Sequence, residues 1–245
     1  MKNLAIITAR MTSTRLPGKV LLKVNKIPMI KILIDRLKKS KLIDDIVVAT
    51  TNNRSDDILI NFLKKNKIGH YRGSEENVLK RVVHASKIKN AKTITLITGD
   101  CPLIDYNLVD QCINTFKYNK CDFVSNANIR SFPDGMDVQV FKASSLYSSL
   151  KNSKKSKEFE HVTLHMRLNP KKYKTINIVA GSDLQYPKLG LTLDEQGDYL
   201  LIKNVIQHFW KKNNKDFCCK EIVEYLNKNK RLLNYNADVK RKGNN

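Results

Sequence analysis

The chain has 245 residues, 41% of them hydrophobic, enough to build a core within one domain. No apolar run approaches the ~20 residues needed to cross a bilayer, and the apolar part of the N-terminus is too short for a signal peptide. The net charge of +22 raises nucleic-acid binding, but the lysines are scattered beside Asn and Ile, and no zinc-finger spacing, aromatic RNA motif or helix-turn-helix accompanies them. Cytoplasmic residence, no membrane association and no specific nucleic-acid partner are therefore expected, with attraction of small anions as the consequence of the charge. The five cysteines (Cys101, Cys112, Cys121, Cys218 and Cys219) are odd in number and form no C-x-x-C pair, so they read as reduced, mostly buried thiols.

In chain order, Leu4–Ile7 reads as a buried strand, and a helix carries Ile30, Leu33, Ile34 and Leu37. Ile46–Ala49 is a second strand. Ser55 is placed to cap a helix from Asp56, and Ser74 followed by Glu75, Glu76 and Asn77 opens another. Thr93–Ile97 is a third strand, followed by a helix from about 107 to 117 and a strand at Phe123–Ser125. Strands alternating with helices predict a mostly parallel sheet covered on both faces. Beyond Ile129 the pattern loosens. A turn at Asp134 feeds a strand reaching Phe141, 151–157 is a polar hinge, and Glu158–Leu168 is helical. Leu189–Asp194 reads as a strand ending in a carboxylate. Helices are expected at about 196–211 and 220–229, and residues 236–245 as a disordered basic tail.

Four constellations carry chemistry. The segment Ala9-Arg-Met-Thr-Ser-Thr-Arg-Leu-Pro-Gly-Lys19 lies between the first strand and the first helix. It gathers Arg10, Arg15 and Lys19 with the hydroxyls of Thr12, Ser13 and Thr14, a composition suited to a polyphosphate as well as to a solvated basic loop. Asp100, in Gly99-Asp-Cys-Pro102, follows a buried strand and suits a hard cation, or a turn before Pro102. Asp194 follows another apolar run; together with Asp100 it could share one Mg²⁺. Asp134 and Asp137 flank a glycine, as a pair of polar ligands or as an Asx turn. His161 and His165 are spaced as one helical face, but no H-E-x-x-H accompanies them, so His161 reads as a hydrogen-bonding residue for a polar substrate rather than a zinc ligand.

These features in order resemble the cytidylyltransferase family that includes CMP-Kdo synthetase and acylneuraminate cytidylyltransferase, closest to its spore-coat polysaccharide branch. The matching stretches are Ile6–Val20, Ile46–Thr50, Tyr71–Leu79, Ile97–Asp105, Phe132–Val138, Glu160–Thr163 and Leu191–Asp194. The resemblance implies a Rossmann-like α/β fold of the nucleotide-diphospho-sugar transferase type in residues 1–235, with a homodimerisation and acceptor segment at about 130–168. It implies CTP as donor, Mg²⁺ as cofactor and pyrophosphate release. Arg10, Lys19 and Asp100 would be the catalytic residues. Ala9, Met11, Thr12, Ser13, Arg15, Ser74 and Glu75 would line the nucleotide, and Asp100 and Asp194 would bind the metal. Asp134, Asp137, Glu160 and His161 would border an anionic acceptor such as a nonulosonic acid. Competing expectations are a phosphonate or other small-acid acceptor, a glycosyltransferase, or a non-catalytic nucleotide- or sugar-binding protein on the same fold; no convincing Asp-x-Asp motif supports a glycosyltransferase.

Overall fold

A computed structural model describes residues 2–241. The described residues form nine strands: β1 (Asn3–Thr8), β2 (Lys23–Val24), β3 (Ile27–Pro28), β4 (Asp45–Thr51), β5 (Gly69–Gly73), β6 (Thr93–Thr98), β7 (Phe123–Ser125), β8 (Gln139–Lys142) and β9 (Thr175–Asn177). The helices are α1 (Met29–Leu37), α2 (Asp57–Lys65), α3 (Val78–Ile88), α4 (Tyr106–Tyr118), α5 (Ala143–Asn152), α6 (Ser156–Glu160), α7 (Leu164–Leu168), α8 (Gln196–Lys211) and α9 (Cys219–Lys228).

Seven strands make one sheet in the order β5-β4-β1-β6-β8-β7-β9, and β2 and β3 form a separate hairpin. The strands β5, β4, β1 and β6 are mutually parallel; β8 runs antiparallel to both β6 and β7. Strands buried on both faces explain the uninterrupted apolar runs. Leu4 and Ile6 point into a core shared with α3 and α5, while Ile7, Val48 and Ile97 point into one shared with α1, α2 and α4. A third core joins α8 and α9 to Leu191, Leu193, Phe132 and Met136. Among the described residues no helix is long and apolar enough to cross a membrane.

The α/β architecture and its parallel central strands agree with the sequence reading, but three local expectations are corrected. Leu189–Asp194 is not a strand; it makes a single bridge, Asp134 to Gly190, and the Leu189 and Leu193 amides donate to the carbonyls of Tyr186 and Asp100 in neighbouring loops. Glu158–Leu168 is two short helices, because the Glu158 carboxylate turns back to accept from the amides of Lys154 and Lys155 and from His165. The second helix begins at Asp57 and Asp56 is fully buried, so Ser55 caps nothing. The chain remains seated on the body as far as Arg241, the sixth residue of the expected tail; the last four residues lie outside the described ones.

Candidate active site at the carboxyl edge of the parallel strands

Each central strand delivers one loop to the same edge. β1 leads into Ala9–Lys19, β4 into Asn52–Asp56, β5 into Ser74–Asn77 and β6 into Gly99–Asp105. The chain winds from β1 outward to β4 and β5, then crosses to β6 on the other side of β1. The crevice between β1 and β6 is thus the topological switch point, where open α/β sheets bind their ligands. Gly99 keeps this crevice narrow: its amide donates to the Thr8 carbonyl at 2.8 Å, and a Cβ there would stand 2.9 Å from that same oxygen.

The basic loop is held from below by Asp56. Its carboxylate accepts from the Met11 amide at 2.6 Å, the Thr50 hydroxyl at 2.8 Å, the Thr51 amide at 3.0 Å and the Thr51 hydroxyl. Burial opposes the Asp56 charge, yet these donors outweigh it and hold the pKa below the ordinary value. Asp56 has no place among the sequence-derived site residues. Its one signal was position, three residues after the polar run Thr50–Asn53 at the end of β4. Above it, Glu75 accepts from Thr12 at 2.7 Å and from Arg10 at 2.9 Å, and also receives Asn53. The Thr12 hydroxyl leads the donors that lower the Glu75 pKa. Thus Arg10, Met11, Thr12 and Glu75 are assembled as one wall. Ser74 instead accepts from the Asn77 amide and shapes the start of α3.

Across the crevice, Lys19 lies between two carboxylates, 3.1 Å from Asp100 and 2.9 Å from Asp194. Arg15 also reaches Asp194, at 3.1 Å, and Glu195, at 3.3 Å. The backbone brings the acids together, since the Leu193 amide donates to the Asp100 carbonyl at 2.8 Å. Burial disfavours the Lys19 ammonium, but Asp100 and Asp194 together raise its pKa. Burial likewise works against the Asp194 charge, and Lys19 with Arg15 overcomes it, leaving Asp194 below the usual range. Burial pushes the neighbouring Cys101 thiol well above its ordinary value, which leaves it protonated and a poor nucleophile. All five cysteines are free.

A second acidic pair lies beyond. Asp134 and Asp137 share one guanidinium, Arg130, at 2.9 and 3.2 Å. The buried Asn126 holds their turn, donating to the Met136 carbonyl and accepting from the Val138 amide. Burial raises both acids, Asp137 to about 6, with Arg130 pulling the other way. Sequence reasoning missed Arg130 and Asn126; the spacing of Arg130 four residues before Asp134 was the available hint. Glu160 and His161 are exposed around the end of α6, and neither shares a hydrogen bond or ion pair with Asp134 or Asp137. Two cavities open at the opposite, amino-terminal end of the sheet, beside Ile46 and Gly69 and beside Ala91 and Tyr147; neither touches these carboxylates.

The donor set around Lys19 fits a small hard cation. Two carboxylates from separate loops already surround one positive charge, and Mg²⁺ commonly takes one or two carboxylates plus phosphate oxygens and water. No cluster of three or more metal-ligating side chains occurs among the described residues, so remaining ligands would come from substrate and solvent.

Residues 4–241 match the family model described as Cytidylyltransferase. The chain is 36% identical to an uncharacterized protein of Methanocaldococcus jannaschii, over 99% of this chain and 97% of that one. It is 33% identical to the spore coat polysaccharide biosynthesis protein SpsF of Bacillus subtilis, covering 92% and 94%. A solved cytidylyltransferase from Leptospira borgpetersenii superposes with a TM-score of 0.89 at 33% identity, over 95% of this chain and 96% of that one.

Proposed function

Since the chain belongs to the cytidylyltransferase family and is a nucleotidyltransferase, we propose that its carboxyl-edge cleft transfers CMP from CTP to a small acidic sugar, releasing pyrophosphate. The observation that carries this reading is the Lys19 ammonium held between Asp100 and Asp194, beside Arg15 and across from Arg10. Family membership supports CTP as the nucleotide.

In this reading Arg10, Arg15 and Lys19 grip the triphosphate. Arg10 and Arg15 offer planar forks and Lys19 a point charge. The backbone of Ala9 to Ser13, fixed by Asp56, borders the nucleotide, with Ser74 and Glu75 along its edge. Asp100 and Asp194 are the residues that would hold Mg²⁺, which when bound offsets charge on the α-phosphate and on the departing pyrophosphate. Lys19, with those acids engaged elsewhere, would be free to meet the phosphates. Asp134 and Asp137 face the acceptor, their charge reduced by burial so that they can exchange hydrogen bonds with its hydroxyls. Glu160 and His161 belong to the segment 130–168 that we assign to acceptor binding and homodimer formation; exposed Ile129 and Leu168 flank it. A polysaccharide pathway is the expected destination of the product, in keeping with the name of the Bacillus relative.

The test is pyrophosphate release measured for four nucleoside triphosphates against acidic sugars, neutral sugars and phosphonates. CTP with an acidic sugar should give the highest rate. Preference for ATP or GTP would remove the cytidylyl assignment, and preference for a neutral sugar or a phosphonate would remove the acidic-sugar acceptor.

A further inference from the structure

The chain does not leave the body after α9. Residues 230–236 form a 3-10 run, and the backbone continues to Arg241 across the amino end of α8. Asn236 donates to the Asp198 carboxylate at 2.8 Å and to the Gly190 carbonyl at 3.0 Å. Arg241 donates to the Thr192 hydroxyl at 2.6 Å and to Asp198 at 2.8 Å. Arg15, from the basic loop, donates to the Lys240 carbonyl at 3.0 Å. Gly197, in the first turn of α8, records the same close approach, because a Cβ there would collide with the Tyr235 carbonyl. A helical glycine costs ~1 kcal/mol relative to alanine, and the seated segment explains why one stands here.

Asp198 links this strap to the cleft. It is fully buried and makes four hydrogen bonds. Its Oδ1 accepts from Asn236 and Arg241; its Oδ2 accepts from the amides of Asp194 and Glu195, each at 3.0 Å. A buried carboxylate is tolerated only when its oxygens are partnered. Without the strap, Oδ1 loses both donors, and Asp198 must turn toward water to replace them. That movement loosens the turn that carries Asp194.

We propose that Asn236 and Arg241 are positioning residues for the transfer reaction, acting on Asp194 through Asp198, with Arg15 tying the same strap to the phosphate loop. The inference rests on the reading of Asp194 as a metal-holding carboxylate and Arg15 as a phosphate ligand. A nucleotide that engages Arg15 stabilises the seated strap, and by linkage a seated strap raises nucleotide affinity.

The test compares the full-length chain with Arg241→Ala, Gly197→Ala and Asp194→Asn. Gly197→Ala keeps every polar partner and improves helix propensity, so it disturbs the strap by volume alone. Amide exchange at Asp194 and Glu195, and tryptic cleavage within residues 230–241 with and without CTP, report on the strap independently of turnover. Both strap variants should lose amide protection and need about 10- to 100-fold more Mg²⁺ for half-maximal pyrophosphate release, the range typical when a group behind a metal ligand is removed. CTP should slow cleavage of the wild-type strap. Unchanged exchange in both variants, or cleavage indifferent to CTP, overturns the inference. Altered exchange with unchanged Mg²⁺ dependence also overturns it when Asp194→Asn is itself inactive. If Asp194→Asn turns over normally, the metal-site reading is what fails, and the functional half of the inference falls with it.

Discussion

The cleft holds two acidic pairs whose surroundings differ in the cations they supply. Asp100 and Asp194 face two cations, Lys19 and Arg15, and Asp194 is held below the ordinary carboxylate range. Asp134 and Asp137 share the single guanidinium of Arg130 at a similarly sheltered site, and burial lifts both. The ratio of cations to acids, more than burial, separates the two. A carboxylate held ionised by two cations, as Asp194 is, suits a hard cation and charged phosphates. A pair whose charge burial disfavours suits the hydroxyls of a sugar.

The sharpest way to break this contrast is at the first pair. Asp100→Asn and Asp194→Asn should each lower turnover about 100-fold or more, since a neutral amide cannot balance a metal ion in the transition state. Circular dichroism would establish folding and pyrophosphate release the rate. A folded mutant with near-normal turnover removes its residue from the metal site.

A smaller effect is expected on the phosphate wall. Arg10→Lys keeps the charge but loses the fork that meets Glu75 and would meet phosphate oxygens. It should reduce kcat/KM for CTP about tenfold, equivalent to one charge-assisted hydrogen bond of ~1.4 kcal/mol. Unchanged kinetics would mean that a positive charge of any shape is sufficient there.

The smallest effect on turnover belongs to the second pair, where the expected change is one of stability. The folded pKa of Asp137, about 6, lies above its ordinary 3.8. Folding therefore takes up a proton between these values, and Asp137 makes the wild type less stable as pH rises from about 4 to about 7. Asp137→Asn does not titrate. Its Tm relative to wild type should rise across that interval by up to roughly 5–10 °C, since a pKa raised from 3.8 to about 6 is worth up to ~3 kcal/mol. A difference that shrinks with pH would place Asp137 among the depressed carboxylates and erase the contrast.

The two pairs also differ in how far the sequence announces them. The core strands β1, β4 and β6 are buried on both faces, so apolar runs mark them, and the loops after β1 and β6 follow at once. Arg10, Lys19 and Asp100 are readable for that reason. β5 and β9 were invisible because they pair on one side only and carry residues such as His70, Arg72 and Asn177, with no clean alternation. Leu189–Asp194 alternates convincingly, yet Leu191 and Leu193 are buried by α8 and α9 instead of by a sheet. Hydrogen bonds across long separations, such as Arg241 to Asp198 and Met11 to Asp56, leave no periodic trace at all.

Asp56 bears on how binding energy is divided between the resting and the occupied protein. With four bonds from one buried carboxylate, the stretch from Thr50 to Met11 is pinned before any nucleotide arrives. A loop that became ordered only on encounter would give up about 1–2 kcal/mol of backbone freedom per residue at that moment. Here that entropy is surrendered during folding, so attraction between the loop's cations and a triphosphate, on the proposed reading, would not be reduced by it. The same arrangement places the cost on the fold, where one buried aspartate carries the rigidity that a nucleotide would otherwise have to impose.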